Sequence, residues 1–315
     1  MVILFLPTRI FASRGVFLSY SFCSYICAKQ SKMTHILDIL KANWLMSGEA
    51  YRNLFDAVLP MLRAGNADKI DSMLSASGVM AYATTPYLAS QYELDDASLP
   101  EASVAVIKLS GPLYSWDTYR VEHLLKVIET NQRITGVVLW IDGPGGMATH
   151  VDVVAKQIHE FSKPVATYVA GEMSSAHFWL GCAAARIFVS SPMSELGSVG
   201  CYTTYISLKK YYSEMGVDIR DIYPDSSDLK NIWYRDIEER NDEKRVKESL
   251  ADLHRFFCES VSEFIGIPYD SSLPLFRGEL FTGRQAVEEG YAHQFGNLQD
   301  AAQWVLAQSV IRKTA

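Results

Sequence analysis

Between residues 104 and 190 the chain alternates short apolar runs with segments of helical period, and Gly or Pro closes most of the runs. Residues 104–109 read as a buried strand stopped by Gly111-Pro112. A helical stretch over 119–130 leads to a second strand over 135–141, closed by Asp142-Gly-Pro-Gly-Gly146. A helix over about 149–161 carries Val151, Val154, Ile158 and Phe161 on one face. Residues 163–169 form a third strand. A turn at Gly171 follows, then an apolar helix over about 174–185 and a short strand over 186–190. Strands and helices that alternate in this way bury their apolar faces as an α/β fold, with helices packed on the faces of a sheet.

The flanks are less regular. Ile36, Leu37, Leu40 and Trp44, then Leu54, Val58 and Leu62, recur at spacings of three and four, so residues 35–65 are expected to be helical. Residues 66–102 lose that period and read as a connector. A strand is expected over 217–223. Beyond Asp236 one long charged helix is expected to run to about Phe264, with Val246, Leu250, Leu253, Phe257, Val261 and Phe264 as its apolar stripe. About thirty residues at 1.5 Å each give roughly 45 Å, more than one compact domain needs, so part of the stripe is expected to meet a second copy of the chain. Residues 1–32 carry two apolar runs, each shorter than the roughly 20 residues that span a bilayer, and read as a disordered or signal-like extension. The expected organisation is this extension, a helical leader and connector over 33–102, and a main domain over 103–310.

The formal net charge is −7 and no long Lys/Arg run occurs, which disfavours nucleic acid as a partner. The five cysteines are scattered with no C-x-x-C pair, so neither a disulfide framework nor a structural zinc site is suggested. There is no H-E-x-x-H spacing and no G-x-S-x-G elbow.

Three loops could carry chemistry, each at a strand end, where α/β folds tend to place their sites. Gly143-Pro-Gly-Gly146 is either a plain strand-to-helix turn or a place where amide N–H groups face a pocket, as an oxyanion hole needs. In Gly171-Glu-Met-Ser-Ser-Ala176 a serine at a helix start is commonly an N-cap. The other reading makes Ser174 the cap and Ser175 a nucleophile. Lys230, in Asp228-Leu-Lys-Asn231, is either a solvated surface charge or a base whose pKa burial has depressed. His177 shares the helix of Ser175 and is badly placed to take its proton. On these residues alone a Ser/Lys pair is permitted but not compelled.

In this order and spacing, over about 104–308, the loops resemble the peptidase family of signal peptide peptidase A (protease IV). That family includes the prohead proteases of tailed phages, and its fold is similar to those of Clp protease and the crotonases, built of repeated β-β-α units. The Asp142-Gly-Pro-Gly-Gly146 turn is similar to the family's I-[DN]-S-P-G-G, with Gly143 in place of the serine. The segment 171–185 is similar to its nucleophile segment, with Ser175 in the nucleophile position and His177 where a small residue is usual. Leu196-Gly-Ser-Val-Gly200 matches T-G-S-[IV]-G, and Lys230 stands where single-domain members carry a lysine base. Gly278-Glu-Leu-Phe-Thr-Gly283 and Glu289-Gly-Tyr-Ala292 resemble the closing motifs.

The resemblance implies a serine endopeptidase with a Ser175/Lys230 dyad. Its oxyanion hole would use the N–H groups of Gly145 or Gly146 and of Ala176, with no metal or cofactor. It further implies protein or peptide substrates and a ring-like homo-oligomer whose subunits complete one another's sites. The phage branch is favoured, with cleavage of scaffold, portal or capsid proteins in the host cytoplasm. The alternatives are a membrane-associated peptidase that degrades signal peptides, an acyl-CoA enzyme of the crotonase type, and an inactive crotonase-like assembly protein.

Overall fold

The computed structural model describes residues 44–46, 48–64, 69–70, 73, 78–85, 91–207 and 209–314. The expectations for residues 1–32 and for Ile36, Leu37 and Leu40 lie outside them. In chain order the elements are β1 (Trp44–Met46), α1 (Gly48–Arg63), β2 (Gly78–Thr84), β3 (Gln91–Tyr92), β4 (Ser103–Ser110), α2 (Ser115–Thr130), β5 (Ile134–Gly143) and β6 (Gly145–Met147). Next come α3 (Val151–His159), β7 (Val165–Ser174), α4 (Ala176–Cys182), β8 (Arg186–Val189), β9 (Glu195–Gly197), α5 (Lys209–Glu214) and α6 (Ile232–Arg240). The chain closes with α7 (Lys244–Ile265), β10 (Leu280–Thr282), α8 (Gly283–Glu288), β11 (Gln294–Phe295) and α9 (Leu298–Thr314).

The α/β reading holds. Strands β4, β5 and β7 are parallel neighbours at the centre of a nine-stranded sheet. Strand β7 then divides its pairing: Ala166–Val169 run beside β8, and Glu172–Ser174 run beside β9. The divergence carries the end of β7 away from the main sheet and delivers Ser174 and Ser175 to its rim. Val104, Val138 and Ala166 face Ala301, Ala302 and Val305 of α9 on one side of the sheet. Ala105, Val137 and Leu139 belong to the larger core on the other side, with residues of α2, α3, α4 and α7. A sheet covered on both faces explains why its strands read as near-continuous apolar runs.

Four expectations need correction. Residues 78–84, read as part of a connector, are strand β2, which pairs antiparallel with β4 along its whole length and so belongs to the main sheet. Trp44 ends no helix; it lies in β1, paired with β6. Residues 217–223 form no strand, and Val217, Ile219 and Ile222 are 46%, 58% and 90% exposed, so high β-propensity finds no packed surface to lie on. The single long helix is two. Asn241 adopts a left-handed conformation between α6 and α7, and α7 has 22 residues, about 33 Å. Phe257, Cys258 and Val261 of α7 are fully buried, and its Trp179 neighbour stacks on Phe257 with ring centroids 4.3 Å apart. Val246, Leu250 and Leu253, at the other end, are only half-buried.

Candidate active site

Ser175 lies between β7 and α4 at φ 55°, ψ −114°, a conformation that costs a non-glycine residue about 1–3 kcal/mol. The bonds on either side impose it. The Ser175 N–H donates to the carbonyl of Gly197 in β9 (2.8 Å), and the Ser175 carbonyl accepts from the Trp179 N–H in α4 (2.9 Å). Ser174, expected as the helix cap, is instead the last residue of β7 and pairs with Gly197. Ser175 holds the cap position and makes no side-chain capping bond. Its hydroxyl donates a long hydrogen bond (3.4 Å) to the carbonyl of Gly200.

The glycine turn lies against this serine. A Cβ built on Gly145 would be 2.9 Å from the Cβ of Ser175. Gly145 also has φ +103°, which side chains rarely adopt. Leu113 braces the turn: its N–H donates to the Gly145 carbonyl (2.8 Å), and its carbonyl accepts from the Met147 N–H (2.8 Å). The structure therefore brings Gly145, Gly146, Ser175 and Ala176 together.

Among the described residues no hydrogen bond links Lys230 to them. Lys230 is exposed in the short turn before α6, and it is not among the hydrogen-bond partners of Ser175. Its apolar neighbour Leu229 is 65% exposed.

His177 carries a role that sequence reasoning missed. It is fully buried in the first turn of α4, and its Nδ1 accepts the N–H of Gly145 at 2.9 Å. Burial pushes its pKa down to about 3, so the ring is neutral at working pH. A neutral imidazole has one acceptor nitrogen, and here it is Nδ1, so Nε2 carries the proton. With its lone pair committed, His177 cannot serve as general base. The bond also takes up the Gly145 N–H, which removes that group from the expected oxyanion donors.

The same ring explains Gly143. A Cβ there would meet His177 Cε1 at 2.5 Å and the Gly111 carbonyl oxygen at 2.6 Å. The two departures from the family pattern are thus one change, in which the imidazole fills the space that a side chain at 143 would need. The signal was present in the sequence as two odd residues, but their proximity was not.

This burial has a pH consequence. An unfolded histidine binds a proton near pH 6.5 and the folded one only near 3, so stability present above 6.5 is lost as pH falls. At pH 5 the loss attributable to His177 is about 2 kcal/mol at 1.36 kcal/mol per pH unit. His177→Ala is expected to be less stable than the parent at pH 7.5, because Gly145 loses its acceptor. That gap should narrow by about 2 kcal/mol at pH 5. Urea denaturation at the two pH values checks this, and a gap that does not change with pH would contradict it.

Residues 157–311 match the family model described as peptidase family S49. The match covers just under half of the chain. The fold is of the mixed α/β type, with a strand–strand–helix unit in β5, β6 and α3 and the sheet divided at β7.

Among similar proteins, the head-tail preconnector protein GP5 of Enterobacteria phage P21 is 27% identical over 212 residues, 65% of this chain and 41% of that protein. The chain therefore spans under half the length of that relative. A putative signal peptide peptidase SppA of Enterococcus faecium is 22% identical over 282 residues, 83% of this chain and 79% of its own. Among solved structures, a membrane-bound stomatin-specific protease aligns at 13% identity over 62% of this chain and 80% of its own, with a TM-score of 0.41.

Proposed function

We propose that this protein is a serine endopeptidase with Ser175 as nucleophile and Lys230 as general base. The observation that carries the reading is the serine itself: it is held at positive φ on a strand-to-helix turn with a glycine turn packed against its Cβ. In the reaction, neutral Lys230 takes the Ser175 proton while Oγ bonds to a substrate carbonyl carbon. The N–H groups of Gly146 and Ala176 hold the resulting oxyanion. As the C–N bond breaks, the ammonium of Lys230 protonates the leaving amine. Water, activated by the same lysine, then hydrolyses the acyl-serine. No cofactor enters this scheme.

Lys230 needs a setting in which its amine loses its proton, and it is exposed in the single chain. A second copy supplies one. The segment that carries Lys230 also exposes Ile219, Ile222, Leu229 and Trp233, and α7 leaves Val246 and Leu250 half-buried. Apolar side chains clustered in this way mark an interaction surface. On this reading the lysine of one copy completes the serine site of its neighbour in a ring-like oligomer. Light scattering is expected to show an oligomer at micromolar concentration; a fully active monomer would reject the shared site.

For the biological role we favour cleavage of scaffold, portal or capsid proteins during phage head maturation, in the host cytoplasm. The phage relative's name, head-tail preconnector protein, supports it. Degradation of signal peptides is the second reading, favoured by the wider coverage of the Enterococcus relative. No helix among the described residues is long and apolar enough to cross a membrane. Incubation with purified phage scaffold and with a signal peptide, with the products read by mass spectrometry, separates the two.

A further inference from the structure

We infer that Trp44–Met46 is a built-in pseudosubstrate, lying in the peptide groove of the Ser175 site and needing to leave before a substrate can enter. The inference rests on the peptidase reading for the word substrate, but the occupancy is geometric. Strand β1 runs antiparallel to β6 with Trp44 opposite Met147, Leu45 opposite Gly146 and Met46 opposite Gly145. Its other side is held as well: the Trp44 N–H donates to the Tyr202 carbonyl (3.0 Å), and the Tyr202 N–H donates to the Trp44 carbonyl (3.1 Å). Tyr202 is two residues past Gly200, whose carbonyl accepts the Ser175 hydroxyl. The segment thus lies between the glycine turn on one side and the Gly200–Tyr202 stretch on the other. Both of these flank the serine.

The peptide group of Leu45 lies against Gly145, on the side that faces Ser175. A Cβ on Gly145 would lie 1.9 Å from the Leu45 carbonyl oxygen, 2.9 Å from the Leu45 carbonyl carbon and 2.9 Å from the Cβ of Ser175. One point beside Gly145 is therefore within 2.9 Å of both a backbone carbonyl carbon and the carbon that bears the nucleophile. A substrate carbonyl has to come into this same neighbourhood to meet the serine hydroxyl.

A purely structural strand is the competing account. Yet β1 is no part of the nine-stranded sheet, and its one strand partner among the described residues is β6. It is short, apolar and almost wholly buried at 1%, 0% and 3% exposure. It is held by main-chain bonds on both flanks, as extended peptides are when they add to a sheet edge. The ring of Tyr51 in α1 packs against Trp44 (5.4 Å) and Tyr202 (5.8 Å), so the helix that follows latches the segment in place.

Occupancy by an attached segment lowers apparent affinity by the fraction of time the groove is open. A variant that weakens the segment must then open the site. The test uses the full chain carrying Ser175→Ala, so that no chemistry intervenes, and a fluorescent peptide with the sequence of residues 41–49. Adding Leu45→Gly is expected to tighten peptide binding at least tenfold, with no gain for a scrambled peptide. With Ser175 intact, Leu45→Gly is expected to raise the rate of labelling by a fluorophosphonate at least tenfold. Should that variant fail to fold, amide exchange at residues 44–46 of the unmodified chain reads the same event, rising at least tenfold in excess peptide.

Equal peptide binding with and without Leu45→Gly, or exchange at 44–46 indifferent to peptide, overturns the pseudosubstrate. Peptide binding that responds as expected, without labelling of any chain, overturns the peptidase reading and leaves the occupancy standing.

Discussion

Ser175→Ala is expected to reduce turnover by at least about 10⁴-fold while leaving the fold intact. The size follows from the chemistry, since no acyl-enzyme forms without the hydroxyl and only binding and the oxyanion donors remain. The small cost to stability follows from the structure. The Ser175 side chain makes one long bond to Gly200, and the positive φ is held by main-chain bonds that alanine keeps. Loss of activity with an unchanged melting temperature is therefore the expected pair of results. Ser174→Ala is the control. Ser174 is buried at the end of β7 and does not hold the cap position, so turnover at Ser175 should persist in it. Substantial activity in Ser175→Ala would remove this serine from the chemistry.

Lys230→Ala should lower turnover by about 10³-fold or more, toward the residual level left when a member of a nucleophile–base pair is lost. Lys230→Arg should do no better, because a guanidinium stays protonated and cannot accept the serine proton. If the lysine of one copy serves the serine of another, a 1:1 mixture of Ser175→Ala and Lys230→Ala chains, assembled together, regains activity. Only sites that pair an intact serine with an intact lysine work, so random mixing restores at most about a quarter of them. Inactivity of each variant alone, with recovery on mixing, is the expected pattern. Full activity of Lys230→Ala alone would discard it as the base.

The parts of this account that the sequence made legible are those governed by local periodicity. Strands β4, β5 and β7 and helices α2 and α3 follow from apolar runs bounded by Gly and Pro, because a doubly covered sheet writes its burial directly into its strands. The serine and glycine loops were legible for a related reason: each ends a strand, and backbone geometry there needs particular residues. Long-range contacts were not legible. Strand β2 looked like a connector because only its pairing with β4, from Thr84 opposite Val104 to Gly78 opposite Ser110, makes it a strand. Trp44 sat at helical spacing from Leu40, yet its burial is decided by Met147 and Tyr202, far along the chain. Residues 217–223 carry strand-forming side chains but pair with no strand. His177 and Gly143 were each visible as departures, but only the fold places the imidazole where a side chain at 143 would be.

The central claim is that Ser175 is an activated nucleophile, and covalent labelling tests it most directly. The full-length chain and its Leu45→Gly variant are treated with a fluorophosphonate, digested and mapped by mass spectrometry. One adduct is expected, on Ser175, absent from Ser175→Ala and formed faster in the variant. An adduct on another residue, or none on either chain while both remain folded, would contradict the account.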